Sequence, residues 1–422
     1  MVLKDIRARE NFGLDVFLNN DGNGNTISWF SGLVLLVKCS TTVDPFVLIQ
    51  SYKCGLLLGS LIGISIGVLS VLSFMIYVKC WAPNNSTTYT GLWRKIIGSN
   101  GDWIPSFLII ISFFTLTSWC TSEFHPDIVG IQKSTFSFQE SSLPSKSFID
   151  KILVLLSSIP ALVTYRFSNM LSMAYIGTFG LILGCLCVVY EFIIKVKNEG
   201  IDPNSQLVWW NWDIEYVVSS YSYFNVAFYT HPILYLVVRE MHFLTENCAK
   251  KMFSMSVLVT SIMDIPISIL SYLMFYNNFE QDVKIIAYFP NKSITALVSK
   301  IGAFLSNFVN TCFYILFISI ELCEFLHTQS SKSKICRMTA VFIAAWSGFA
   351  FTQLGDFAQE LVYFIGSLAY YLLVFVLPPV YYLKTFGYSS KKWGIIALVI
   401  IFLTTPPAMI EFSFVIKDLL SE

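Results

Sequence analysis

Charge is scarce in this chain of 422 residues. Asp, Glu, Lys and Arg together make up 13% of it, about half the share of an ordinary soluble domain. With 55% hydrophobic residues and a mean hydropathy of +0.65, that scarcity excludes a water-soluble enzyme. Neither sign of charge dominates, since 27 Lys and Arg face 27 Asp and Glu. A polybasic nucleic-acid binder is excluded on that ground, and so is an acidic disordered chain. The ten cysteines include no C-x-x-C pair, and most sit inside apolar runs, as Cys39, Cys185, Cys187, Cys312 and Cys323 do. They read as small packing residues rather than a zinc site or a disulfide framework. Cys54 and Cys120 both fall near span ends on one side, which leaves a bridge between them open. The first residues lack the short apolar core of a cleavable signal peptide. Residues 1–28 read as a polar cytosolic tail with a Gly/Asn-rich stretch at Asn20–Asn25.

What the chain does have is apolar runs along its whole length. A bilayer core takes about 20 apolar residues per helix. Eleven runs qualify: 29–52, 56–80, 104–122, 149–166, 170–194, 214–238, 252–276, 294–321, 336–354, 359–383 and 393–416. The fourth is the least apolar, opening on Asp150-Lys151 and containing Pro160. Short links at 166–170 and 383–393 imply that their flanking helices are antiparallel neighbours. Placing the N-terminus in the cytosol puts sixteen Lys and Arg inside and ten outside, the expected bias. Asn291-Lys292-Ser293, a glycosylation sequon, then faces outside.

Spans 1 and 6 are poor helices for lipid. The middle of span 1, Lys38–Pro45, holds a lysine, Ser40, Thr41, Thr42, Asp44 and a proline. That of span 6 carries Asn225, Thr230, His231 and Pro232. Proline removes a backbone donor and clashes with the preceding turn, and such breaks are tolerated where they line a cavity. Broken helices at matching places in two halves point to a transporter binding site. The expected fold is an all-α integral membrane protein of about eleven transmembrane helices. It is a 5+5 inverted repeat, 29–194 and 214–383, with broken helices 1 and 6 and an extra helix at 393–416. The whole transmembrane unit covers 29–418. Free N–H groups and carbonyls at the breaks suit the carboxylate and ammonium of an amino acid.

At span 6 a family resemblance emerges. Val226-Ala227-Phe228-Tyr229-Thr230-His231-Pro232, then Tyr235 and Arg239-Glu240-Met241, resembles the amino acid/auxin permease family of the amino acid–polyamine–organocation superfamily. That family has Phe-Ala-Phe-x-Cys-His in its sixth helix and Glu-Leu at that helix's cytosolic end. The departures are Val226, Thr230 and Met241. Ser271-Tyr272-Leu273-Met274-Phe275 is similar to the family's Gly-Tyr-Leu-Thr-Phe. Lys38 and Gly55 hold the frame of its first helix, although Ser and Thr replace a Gly-x-Gly there. The resemblance implies secondary active transport of amino acids, coupled to protons or sodium, at a plasma membrane or a lysosome- or vacuole-like membrane.

The candidate substrate residues are Ser40, Thr41, Thr42, Asp44, Asn225, Phe228 and His231. Asp44, His231 and Asp264 are ionisable at or near the bilayer core, and each is a candidate for proton coupling. Asn307, Asn310 and Thr311 are spaced to share a face of span 8 and could hold sodium with span 1 carbonyls. Each also has a structural reading: a salt bridge of Asp44 with Lys38 or Lys53, a packing histidine, a pairing of Asp264 with a hydroxyl or lysine, and inter-helix hydrogen bonds. Trp209, Trp210 and Trp212 read as an interfacial belt. The implied partners are an amino acid and the lipid bilayer, with no nucleic acid, no resident cofactor or metal, and a monomeric state. Two other classes fit less of the sequence. A transporter-like amino acid sensor has only a short tail through which to signal. A membrane-embedded acyltransferase built on Asn225 and His231 has no nucleophile motif and leaves the paired breaks unexplained.

Overall fold

The computed structural model describes residues 27–41, 45–84, 86–135, 146–164, 167–201, 207–239, 246–276, 284–290, 293–325, 334–353, 356–387 and 391–421. Helix dominates. Span 1 begins as α1 (Trp29–Ser40), and a 3-10 turn at Leu48–Tyr52 follows its break. Next come α2 (Leu56–Lys79), the short α3 (Trp81–Asn84) and α4 (Tyr89–Ile96), and α5 (Trp103–Ser122). Beyond α6 (Phe124–Thr135) lie α7 (Lys146–Val163) and α8 (Leu171–Glu199). Span 6 is split into α9 (Ile214–Ala227) and α10 (His231–Arg239). The chain continues with α11 (Glu246–Phe275), α12 (Ile294–Phe325), α13 (Lys334–Thr352), α14 (Asp356–Tyr371), α15 (Leu377–Phe386) and α16 (Lys391–Ser421).

Seven helices among the described residues are long and apolar enough to cross a bilayer unaided. The other four spans are shorter or more polar for specific reasons. Spans 1 and 6 are split by their breaks, α7 carries Asp150 and Lys151, and span 9 has a short apolar stretch, Met338–Ala350. Side-chain caps set several helix starts. Ser28 Oγ accepts from Ser31 N–H at 3.2 Å to open α1, and Asp213 Oδ1 accepts from Glu215 N–H at 3.1 Å to open α9. Such caps satisfy donors that a helix start leaves bare.

Span 8 (α12) is the most buried of the long spans and the extra helix α16 the least. The small face of α8 lets α12 approach: a Cβ on Gly180 would lie 3.0 Å from the Gly302 carbonyl oxygen. Small residues drive such close crossings in membranes. The opposite face of α8 exposes Ile176, Phe179, Leu186 and Ile193, the apolar stripe that meets lipid. α7 packs against α12 and α13 rather than pairing with α8. Each of the two helices that the short link at 166–170 suggested as neighbours packs on α12 instead of on the other. The link at 383–393 does join neighbours, α15 and α16. Within span 10, Leu372–Val376 is a π-helical turn. Tyr89 OH donates to the Leu373 carbonyl at 2.9 Å and Ser73 Oγ to that of Val374, so side chains take up carbonyls at this irregular turn.

Cys54 and Cys120 are both free thiols, so the bridge left open by the sequence does not form. The Cys54 sulfur lies instead 3.1 Å from Ser220 Oγ.

Candidate functional site

The two broken spans lie side by side and run in opposite directions. α1 packs on α10, and the 3-10 turn at Leu48–Tyr52 packs on α9. The first half of each span therefore meets the second half of the other, which brings the breaks together. The end of span 1 and the approach to span 6 are tied by backbone bonds: Leu56 N–H to Val208 C=O at 2.9 Å and Asn211 N–H to Cys54 C=O at 2.7 Å. Gly55, at φ +101°, makes that junction feasible, since a Cβ there would lie 2.7 Å from the Trp210 nitrogen.

Helix α1 ends because its own hydroxyls cap its last carbonyls. Ser40 Oγ donates to Val37 C=O at 2.9 Å, and Thr41 Oγ1 donates to Lys38 C=O at 2.9 Å. Beyond Thr41, Thr42 and Asp44 lie outside the described residues, and Pro45–Val47 form a turn. Two flanking spans hold the break. Ser40 Oγ lies 2.7 Å from Thr260 Oγ1 on α11, and Asn310 Nδ2 on α12 donates to Thr41 C=O at 2.9 Å. Ser268 Oγ, two turns beyond Thr260, reaches Pro45 C=O at 3.3 Å. Thr260, Asp264 and Ser268 are four residues apart and share one face of α11. Asp264, fully buried, thus stands alongside the break between two residues that touch it.

At the second break the chain leaves helical geometry at Phe228, Tyr229 and Thr230. It restarts at His231-Pro232, where the missing proline N–H falls among donors that a helix start leaves unused. Three break residues anchor it, two on span 2 and one on α5. The Phe228 ring packs on span 2, about where a Cβ on Gly67 would meet it at 3.5 Å. Tyr229 OH lies 2.6 Å from Ser112 Oγ on α5, with its ring 4.5 Å from that of Tyr370. His231 Nε2–H donates to Ser70 C=O on α2 at 3.1 Å, and its ring stacks near Phe253 at 4.8 Å and Phe74 at 5.5 Å.

Asn225 and Thr230 differ from these anchors. Both are buried, and neither the Asn225 amide nor the Thr230 hydroxyl finds a hydrogen-bond partner among the described residues. A buried amide left so carries a penalty of about 1–3 kcal/mol, and a ligand at the break would relieve it.

The span 8 candidates separate. Asn310 reaches the span 1 break, whereas Asn307 Nδ2 donates to Asp127 Oδ2 on α6 at 3.0 Å. Thr311 Oγ1 donates to the Asn307 carbonyl within its own helix at 2.9 Å. Ser306, one turn before Asn310, accepts from Lys38 Nζ at 2.7 Å. Thr260 and Ser268 escaped the sequence reading, because isolated hydroxyls in an apolar run give no sign of which neighbour they meet. The charged set Glu123, Asp127 and Lys284 escaped it too: it lies in connections that read as polar loops, yet Lys284 and Asp127 are buried.

In a search of solved structures, one match is the crystal structure of MhsT in complex with L-phenylalanine. The TM-score is 0.62 at 11% identity, over 93% of this chain and 99% of that one. That likeness is one of fold. No curated protein matches the chain in sequence. The family model described as transmembrane amino acid transporter protein matches residues 25–416. With nearly the whole chain covered, the protein belongs to the transmembrane amino acid transporter family, the amino acid/auxin permeases, and is a multi-pass integral membrane protein.

Proposed function

We propose that the chain is a secondary active transporter that binds an amino acid between the breaks of spans 1 and 6 and moves it by alternating access. The observation that carries the reading is the Asn225 amide, buried beside the second break with no partner among the described residues. An amide donates and accepts, so it suits either charged end of a zwitterion. Thr230 adds a hydroxyl from the same break, and in this reading the span 1 contribution comes from Ser40 and Thr41 together with Thr42 and Asp44, the last two outside the described residues. The L-phenylalanine held by MhsT supports an amino acid as cargo.

Coupling to a proton or to sodium completes the cycle. Asp264, flanked by Thr260 and Ser268 along the span 1 break, is the group this reading assigns to carry the coupling proton. His231 sits in an aromatic stack with Nε2–H already bonded to Ser70. Asp44 is the second carboxylate of this reading. The charge asymmetry of the connections favours a cytosolic N-terminal tail over 1–28, in a plasma membrane or a lysosome- or vacuole-like membrane. The transporter works as a monomer in this account.

The test is uptake of a panel of labelled amino acids into proteoliposomes, with a proton gradient, a sodium gradient or neither imposed. Accumulation of at least one amino acid above protein-free liposomes supports transport. Binding of amino acids without flux under any gradient would contradict it and favour a sensor.

A further inference from the structure

Span 11 (α16) has no part in the transport reading above, yet it carries a carboxyl group at membrane depth. Its buried stripe runs through Ala397, Ile400, Thr404 and Ala408, and Glu411, partly buried, continues that stripe at helical spacing. Ile395, Phe402, Met409 and Ile416, on the opposite side, are exposed and meet lipid. The glutamate therefore points into the bundle. There Ser367 Oγ on α14 donates to Glu411 Oε1 at 2.7 Å, and the Ser222 hydroxyl on α9 is its second polar neighbour. Spans 6, 10 and 11 thus meet at one carboxyl group. The rings of Phe364 and Phe412, 5.2 Å apart, pack span 11 on span 10 beside it.

Ionisable groups inside a membrane are usually paired or functional. Among the described residues no Lys or Arg pairs with Glu411. The titratable groups around it are two phenols bonded to span 11: Tyr221 OH on α9 donates to Thr404 C=O at 3.4 Å, and Tyr371 OH on α14 lies 2.6 Å from Thr405 Oγ1. Glu215, exposed, shares the Ser222 face of α9 about 10 Å nearer the helix start. Lys79 of α2, over the Trp393 ring at 4.6 Å, and Lys384 of α15 stand at the far end of span 11. The hydroxyls then decide between the two forms of the carboxyl. Ser222 Oγ donates its one proton to Val218 C=O at 3.1 Å, so towards Glu411 it can only accept. A protonated carboxyl donates to Ser222 while still accepting from Ser367, and bridges spans 6 and 10. An ionised carboxylate is an acceptor only and sets oxygen against oxygen at Ser222.

We infer that Glu411 is a proton-binding site whose occupancy decides whether the first half of span 6 is tied to spans 10 and 11. The inference rests on the transport reading above and deepens it. Ser222 lies three residues before Asn225 on α9, on nearly the same face, so the half-helix held by Glu411 carries the amide assigned to the substrate. The proton is exchanged with water: Glu411 is six residues, about 9 Å of helix rise, from Lys417, which is exposed at the end of the span. Pro406 and Pro407 remove two backbone bonds about one turn before Glu411, so this stretch of span 11 can shift as the bond to Ser222 forms and breaks. Asp264 keeps the coupling role, and Glu411 makes the rate of transport follow pH from a second place.

Two measurements test this. Infrared difference spectra of the full chain in lipid nanodiscs, recorded as pH is raised from mildly acidic to mildly alkaline, read the proton without any flux. The wild type is expected to show a carboxylic-acid C=O band that fades as pH rises and that Glu411→Gln lacks. Coincident spectra of the two proteins in this region, or a Glu411 band that never changes with pH, would overturn the inference. Ser222→Ala keeps the carboxyl and removes its acceptor, and serves also if Glu411→Gln does not fold. Its band is expected to move in frequency, and an unmoved band would contradict the bridge to span 6. The second measurement is exchange of labelled for unlabelled amino acid in proteoliposomes at equal pH on both sides. The wild-type rate is expected to change about fivefold over this pH range through one hydrogen bond. Glu411→Gln, whose amide accepts from Ser367 and donates to Ser222, is expected to lose that change, and superimposable profiles would sink the inference. A titrating band that Glu411→Gln removes, with no exchange of any amino acid, would defeat the transport reading and leave the proton site standing.

Discussion

Lys284 and Asp127 form a buried ion pair, Nζ to Oδ1 at 2.8 Å, that joins the connection before span 8 to the helix following span 3. Glu123 Oε2 lies 3.1 Å from the same ammonium, and Asn307 holds the other Asp127 oxygen. The next residue, Ile285, donates its N–H to the Phe46 carbonyl at 3.0 Å. The pair therefore fixes a strap of chain directly onto the second half of broken span 1. Removing one partner of a buried pair leaves the other charge uncompensated, at about 3–5 kcal/mol. Lys284→Met is expected to lower the unfolding temperature markedly. Adding Asp127→Leu to it is expected to recover part of the loss, as thermal unfolding in detergent would record.

Asn225 gives a prediction in which stability and function part. Its amide is unsatisfied among the described residues, so the shape-matched apolar change Asn225→Leu removes a penalty of about 1–3 kcal/mol. The variant is expected to be as stable as the wild type or more so, and to lose amino acid uptake by about tenfold or more. Unfolding temperature and uptake, measured on one preparation, check both halves.

The spans were legible because lipid permits little besides helices of about 20 apolar residues. The breaks were legible through Pro45 and Pro232 set among polar side chains. Which way a break residue turns was not. Phe228, a candidate pocket wall, packs on span 2 because Gly67 leaves room there, and only the folded arrangement brings the two together. Lys38 stood out as a lysine in an apolar run, but its partner Ser306 is 268 residues away. Asn307 and Asn310 looked equivalent by spacing. Three residues on a helix leave two side chains about 60° apart around the axis and about 4.5 Å apart along it, enough to send one to α6 and the other to the span 1 break.

Asp264 and His231 are separable by pH dependence. Asp264 lies along the break, and Asp264→Asn is expected to abolish accumulation driven by a proton gradient while exchange of labelled for unlabelled substrate persists. His231→Phe keeps the stack with Phe74 and Phe253 and loses one bond to Ser70 C=O. About 1 kcal/mol of stability is expected to go with it, with the pH profile of uptake unmoved. A profile that shifts in His231→Phe and not in Asp264→Asn would reverse the assignment.

Gly55 is the hinge between spans 1 and 2, at φ +101° with the Trp209–Trp210 backbone against it. Gly55→Ala is expected to destabilise by about 1–3 kcal/mol through backbone strain, with a further cost from the close contact at Trp210. Gly98, also at positive φ, has nothing within 4 Å of a built Cβ. Gly98→Ala is expected to be the milder change when the unfolding temperatures are compared.

The central claim is that an amino acid lies between the two helix breaks. An experimental structure of the protein with a transported amino acid bound tests it most directly. The account predicts the ligand's charged groups within hydrogen-bond distance of the Asn225 amide and of the broken ends of spans 1 and 6. A ligand bound elsewhere, with the Asn225 amide satisfied by the protein's own groups, would contradict it.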